Sequence, residues 1–160
     1  MPLQKKRGDA AQVYLNAGTF AAPNPVALRV SELHFTDKPG KLFDASDRLS
    51  SVDTFIPTRS TWSIEFEFVW DASDTGIVKL VTAARLGLNA DMIVTDDNIL
   101  VAGTIGLHAE WTCESGWDND AKLADGQKCK MKWVPAGNYT NPPVRWQTGG
   151  GAAPGGIVGL

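Results

Sequence analysis

The sequence is poor in the residues that most often build metal and redox sites. It contains only 2 histidines and 2 cysteines among 160 residues. His34 and His108 each stand alone among strand-like residues, which predicts histidines on a sheet face or at the surface rather than metal ligands. Cys113 and Cys129 are too few for a disulfide framework. We expect two buried thiols, close to each other if their strands form a hairpin, and no metal site.

The sequence also lacks the short motifs of common enzyme classes. No Walker loop, HExxH or GxSxG motif is present, and the glycine-rich stretch at 149–156 has no strand-to-helix context. Glu65, Glu67 and Glu110 could suggest a catalytic carboxylate pair. Each alternates with apolar residues, however, which indicates the solvated face of a strand. Paired with the lysines of 128–132, they predict a ladder of opposite charges. We therefore expect no catalytic residue and no cofactor, and a protein that is not an enzyme.

Long apolar runs and strong net charge are missing as well. No run is long enough for a membrane-spanning helix, and "KKRGD" stands where a signal peptide would need apolar residues. Export through a signal peptide and binding to a membrane are therefore not expected. The net charge of −3 gives no general attraction to nucleic acid.

The clearest positive signal is the alternation in "TWSIEFEFVW" at 61–70. It predicts a strand with one apolar face buried in the core and one polar face in solvent. The residues that follow predict a helix over 74–86, with Ser73 as its N-cap and Gly87 as its end. The predicted core face of the strand consists of Trp62, Ile64, Phe66, Phe68 and Trp70.

The rest of the chain divides around this strand and helix. Further strands are predicted at 28–36, 90–95, 99–115 and 128–134. The domain organisation that follows is an N-terminal arm at 1–27 with little regular structure, a β domain at 28–136 with a long loop at 37–60, and a Gly/Pro-rich C-terminal extension at 137–160.

The chain is rich in tryptophan, with 6 residues. Trp62, Trp70, Trp111 and Trp133 fall on inward phases and are expected in the core. Trp117 lies in a predicted loop and Trp146 in the predicted extension, where exposed aromatic rings would contact another protein or stack on a sugar.

The segment "SIEFEFVWDASDTGIVKLVTAARLGLNADMIVTDDN" resembles the tail tube proteins of long-tailed bacteriophages. Trp70, Asp71 and Asp74 fit a W-D-x-x-D turn between a strand of large alternating residues and a short helix. "GTIGLHAEWTCESGWDNDAKLADGQKCKMKWVPA" looks like the closing hairpin of that family. The resemblance covers residues 28–136, and the extension at 137–160 departs from it.

The resemblance implies a mainly β fold: an antiparallel β-sandwich or barrel-like domain with one flanking α-helix, related to type VI secretion tube proteins. It implies a structural virion protein, made in the host cytoplasm, whose hexameric rings stack into a tube that conducts DNA. The implied partners are further copies of the chain and other tail proteins, such as the tape measure, the terminator, and a sheath or baseplate. DNA would pass through without sequence-specific binding.

Two sets of candidate site residues follow from this reading. Glu65, Glu67 and Glu110 are candidates for a charged face that meets the lumen or solvent. The candidates for contacts between subunits are Phe43, Leu49, Phe55, Trp117 and Trp146. Two alternatives stay open: a carbohydrate-binding β-sandwich module that uses Trp117 and Trp146, and a ring-forming tail terminator or connector.

Overall fold

The structure, a computed structural model, describes residues 11–38, 42–44, 55–57, 61–122, 126–148 and 157–158, with side chains described for 11–38, 61–114 and 128–148. The described part is mainly β, with one helix. The elements in chain order are β1 (Gln12–Asn16), β2 (Pro25–Ala27), β3 (Ser31–Lys38), β4 (Leu42–Asp44), β5 (Phe55–Pro57), β6 (Thr61–Val69), α1 (Thr75–Leu86), β7 (Ala90–Thr95), β8 (Ile105–Lys122), β9 (Gly126–Pro135), β10 (Val144–Gln147) and β11 (Ile157–Val158).

One antiparallel sheet contains most of the strands, in the order β2-β1-β7-β8-β9-β6-β3. The long strand β8 pairs with β7 along one edge and with both β9 and β10 along the other. Trp111 lies opposite Pro135 of β9, and His108 lies opposite Val144 of β10. The chain therefore leaves the edge of β8 at the end of β9 and returns to the same edge as β10. Residues 137–143 make this connection, which we call the crossing. Strands β4 and β5 form a separate pair.

Strand β6 has the two faces that its sequence predicts. Ile64, Phe66 and Phe68 are buried, and the residues between them are partly exposed. Trp62 is half-buried and packs against Phe35 at a ring-centroid distance of 5.2 Å. Each fully buried side chain of this kind contributes about 1.5–3 kcal/mol. We call this side of the sheet the inner face, and the opposite side the outer face.

Helix α1 covers the inner face, as the apolar spacing of its residues requires. Ile77, Leu80 and Val81 are buried in the same core cluster as the inner-face residues of β6, β7, β8 and β9. The helix ends as predicted at Gly87, whose φ of 66° is the left-handed conformation that glycine adopts without a steric penalty.

The predicted N-cap is wrong by one residue. Asp74, not Ser73, caps α1, because its carboxylate accepts hydrogen bonds from the backbone N–H groups of Gly76 and Ile77. Ser73 instead donates its backbone N–H and its hydroxyl to the carboxylate of Asp71. These bonds lower the pKa of Asp71.

Neither cysteine forms a disulfide, and the two are not opposite each other. In the β8–β9 hairpin, Cys113 faces Trp133, and Cys129 faces Asn119. The two strands do form a hairpin, but its register places the cysteines apart, so the expectation that they are neighbours is wrong. Cys129 is buried and Cys113 is partly buried, and burial raises the pKa of the Cys113 thiol.

The ends of the described chain are more ordered than the sequence indicates. Residues 12–16 form β1, which pairs with β7 inside the sheet, so the expectation of an arm without regular structure is wrong there. Residues 144–147 form β10, which pairs with β8. On the inner side, the guanidinium carbon of Arg145 lies 5.6 Å from the Trp62 ring centroid. Their composition predicts segments outside the β domain, whereas both strands join its sheet.

Candidate functional site

The outer face of β6 and β9 carries the predicted ladder of charges. Glu65 lies opposite Lys132, and Glu67 lies opposite Lys130. The ion pairs run diagonally: Lys130 Nζ lies 2.5 Å from a carboxylate oxygen of Glu65, and Lys132 Nζ lies 3.0 Å from one of Glu114 on β8. All of these side chains remain accessible to solvent. Lys130 and Lys132 are thus each paired with a carboxylate of the same chain, as their position on the polar face of β9 predicts.

The Lys130 ammonium changes the electrostatics of its partner. Its hydrogen bond lowers the pKa of Glu65, and the positive charges of Lys130 and Lys132 act in the same direction. Glu65 therefore stays ionised to a lower pH than a free glutamate. The surface formed here is charged but locally balanced.

The outer face of β7 and β8 is different, because other parts of the chain cover it. His108 is fully buried there, with its Nε2 atom 2.6 Å from a carboxylate oxygen of Asp91. Its ring stacks on Phe20 at 4.0 Å, and the edge of Trp146 lies nearby at 6.3 Å between centroids. The other Asp91 oxygen accepts a bond from Asn16 Nδ2 at 2.7 Å. His108 therefore lies on a sheet face, one of the two predicted places, but it is buried there, whereas His34 is exposed.

Glu110 lies on this outer face too, but it is not a free lining residue. Its carboxylate accepts a hydrogen bond from the backbone N–H of Asn141 at 2.5 Å, and its own carbonyl accepts one from Ala136. Asn89 also contacts the same crossing through Asn138. Glu110 therefore holds residues 137–143 against the sheet, apart from Glu65 and Glu67.

Trp146 does not lie in an exposed tail. It belongs to β10 and is only 1% exposed, in a small cluster on the outer face with Tyr14, Ile93 and Ile99. Its indole N–H donates to Thr148 at 3.3 Å. The expectation of an exposed contact residue or sugar platform at Trp146 is therefore wrong. A sequence signal was present, since "VRWQ" alternates, but the segment is too short to predict a strand.

The other predicted contact residues are only partly placed. Phe43 lies in β4, Phe55 in β5 and Trp117 in β8, where the structure describes the backbone and not the side chains. Leu49 lies outside the described residues. Their role as contacts between subunits stays a prediction.

Exposed apolar residues that the sequence did not single out gather at the two ends of β7. Leu86 is the last residue of α1 and Leu88 follows the helix, and the Asn89–Asn138 contact brings Tyr139 toward them; we call these three residues the front patch. Leu100, Val101 and Ile105 lie in and after the turn between β7 and β8; we call them the rear patch. The side chains of these six residues are between 45% and 66% exposed. Val26 and Val69 are also exposed, but in other strands.

The described part lacks two features that would suggest other functions. It contains no helix of the length and apolar character needed to cross a membrane. It also contains no group of three or more histidine, cysteine, aspartate or glutamate side chains arranged to bind a metal ion.

No protein-family model and no curated protein matches the sequence. Solved structures do resemble the fold. A chain from the tail of an empty GTA particle with C6 symmetry has a TM-score of 0.59 at 12% identity, covering 83% of this chain and 96% of that one. The SPP1 tail tube has a TM-score of 0.61 at 11% identity, covering 81% and 75%. A chain of the native gene transfer agent virion has 0.56 at 11%, covering 83% and 95%.

Proposed function

We propose, from its tail-tube fold, that the chain is a structural subunit of a phage tail tube, part of the virion and not an enzyme. Its copies form hexameric rings that stack into a tube, and DNA passes through the lumen. The observation that carries this proposal is the likeness of most of the chain to the SPP1 tail tube and the GTA tail, across a sheet whose residues match little in sequence. Other tail proteins, such as a tape measure, terminator, sheath or baseplate, are its further partners.

The lumen-facing surface in this proposal is the outer face of β6 and β9. A DNA conduit works best with little affinity for phosphate, because each lysine or arginine contact adds salt-dependent binding. Lys130 and Lys132 are each held by a carboxylate of the same chain, which leaves little positive charge for DNA. Glu65 and Glu67 carry the negative charge of this surface. Glu110 supports the crossing at 137–143 instead.

The first experiment tests assembly. Purified full-length protein is concentrated and studied by negative-stain electron microscopy and by light scattering. We expect rings or tubes whose averaged end views have sixfold symmetry. A strictly monomeric protein at high concentration would contradict the proposal.

The second experiment tests the lumen assignment in assembled tubes. The double variant Glu65→Lys/Glu67→Lys places unpaired positive charge on the outer face. We expect DNA added to these tubes to be retained at low salt and released as the salt concentration rises. Glu65→Gln/Glu67→Gln is the matched control, because it frees Lys130 from its carboxylate but adds no cation, so it should retain less DNA than the lysine variant. Equal retention by both double variants would contradict the assignment of this face to the lumen.

The remaining alternative among tail proteins is a terminator or connector ring. The two roles differ in copy number, since a tube subunit is present in many rings and a terminator in one. Quantitative mass spectrometry of purified particles separates them. The carbohydrate-binding alternative loses one of its two tryptophans, because Trp146 is buried.

A further inference from the structure

The two apolar patches lie at opposite ends of the same strand. Leu86 and Leu88 of the front patch come just before β7 in the chain, and the rear patch follows β7. A strand of this length separates them by roughly 20 Å, at about 3.3 Å per residue. They cannot cover each other within one chain. Two separate apolar surfaces at opposite poles also do not suit a twofold dimer, in which one patch meets its own copy.

The charges beside the patches are complementary. Arg85 lies in the last turn of α1, next to Leu86 of the front patch. Asp96 and Asp97 begin the turn that carries the rear patch, where each carboxylate also accepts a hydrogen bond from a backbone N–H group of that turn. A front patch placed against a rear patch therefore brings a cation toward two acids and removes both apolar surfaces from water.

We propose that the front patch of one copy binds the rear patch of the next copy, in a head-to-tail contact. This inference deepens the proposed function, on which it rests, by assigning one of the contacts that join the subunits. The occupant of each patch is thus a second copy of this chain. A contact of this kind propagates, because every added copy presents a new free end.

The test uses two variants that each block one end. Leu88→Glu buries a carboxylate in the front contact, and Ile105→Glu does so in the rear contact. Both side chains are more than half exposed, so the fold should be retained, which thermal unfolding checks. We expect each variant alone to lose the long assemblies of the wild type in sedimentation velocity and negative-stain images.

Mixing the two variants gives the decisive readout. The Leu88→Glu chain keeps an intact rear patch, and the Ile105→Glu chain keeps an intact front patch. An equimolar mixture should therefore form complexes of limited size that neither variant forms alone. Val69→Glu, on an exposed residue of β6 away from both patches, is the control and should assemble as the wild type does.

Charge-reversal variants provide an independent test of the same contact. Arg85→Glu should weaken assembly by about fivefold, the size expected of one exposed ion pair. Combining it with Asp97→Lys should recover part of that loss. Normal assembly by both blocked variants, or no gain on mixing, would overturn the head-to-tail contact while leaving the tube proposal intact. A wild-type protein that stays monomeric would overturn both.

Discussion

Strands β6 and β7 belong to the same sheet, yet their outer-face residues have opposite surroundings. On β6, Glu65 and Glu67 are accessible to solvent, Glu65 forms an ion pair with Lys130 of β9, and Glu67 lies opposite that lysine in the ladder. On β7, Asp91 and Ile93 lie under side chains from β1, the β1–β2 connection and β10. The inner faces of both strands are buried in one core. One half of the sheet is therefore covered on both sides, and the other on one side only.

The two halves of the sheet therefore differ in what they contribute: one mainly stabilises the fold, and the other provides accessible surface. In β7 and β8, side chains on both faces of the sheet are buried. Both sets contribute burial free energy, so we expect this half to account for most of the stability of the fold. The outer face of β6 and β9 contributes little through its exposed ion pairs, whose net value is small. That surface is therefore free to vary in charge without unfolding the domain. The following changes test this contrast, from the largest expected effect to the smallest.

Trp146→Ala removes the largest side chain from the covered outer face. We expect a loss of about 3–5 kcal/mol in the free energy of unfolding, from lost burial and the cavity left behind. Chemical denaturation measures it. Glu67→Ala on the open half is the matched comparison and should stay within about 0.5 kcal/mol. Similar losses in the two variants would erase the distinction between the halves.

Gly106→Ala tests how tightly β7, β8 and β10 meet. A β-carbon at this position would lie 1.9 Å from the carbonyl oxygen of Val94, so the backbone must shift. We expect destabilisation of about 1–3 kcal/mol, measured as a lower midpoint of thermal or urea unfolding. Gly137→Ala, where a β-carbon meets nothing within 4 Å, should have no such effect. An unchanged midpoint for Gly106→Ala would argue against this close approach.

Asp91→Ala removes the acceptor that His108 and Asn16 share. His108 is fully buried, so its Nε2 atom would lose its partner, at a cost of about 1–3 kcal/mol. Asp91→Asn keeps an oxygen acceptor and should lose less. Denaturation curves of both variants provide the measurement, and identical losses would mean that the hydrogen bonds contribute little.

The smallest effect is expected for the ion pair on the open half. Because Lys130 lowers the pKa of Glu65 below its ordinary value of 4.5, the pair stabilises the fold above that pH and loses this contribution as the pH falls through the folded-state pKa. Lys130→Met should therefore lower stability at pH 7 and converge with the wild type in acid, below the folded-state pKa of Glu65. Lys79→Met on α1 is the control. A constant difference across this range would contradict the assignment.

The local sequence pattern was sufficient to predict β6, the end of α1 and the charged face of β6 and β9. The alternation from Trp62 to Phe68 predicted β6 and its buried face, and Gly87 predicted the end of α1. The phase of Glu65 and Lys130 predicted the charge ladder. The N-cap of α1 shows the limit of such signals. Ser73 and Asp74 are adjacent and both are suitable N-cap residues, so the sequence alone does not decide between them.

The covered outer face could not be predicted in the same way. His108 alternates with apolar residues as a solvated residue would. It is buried by contacts with Phe20 and Trp146, which are far from it in the sequence. Those contacts depend on β1 and β10, which are short and lie in segments rich in alanine, glycine and proline. The exposed patches at the ends of β7 were equally hidden, because apolar residues at helix and turn positions resemble core residues in sequence.

Strand β8 aligns both β9 and β10 along one edge, and this arrangement has a consequence for how the gene can change. The register of each segment is fixed by its own hydrogen bonds to β8, so the length of the connection between them does not set the position of β10. Codons gained or lost between Asn141 and Val144 would leave Trp146 in its place and would also keep the contacts of Asn138 and Asn141. We expect natural length variation to accumulate there sooner than in the turn at 96–104, where hydrogen bonds fix the spacing between β7 and β8.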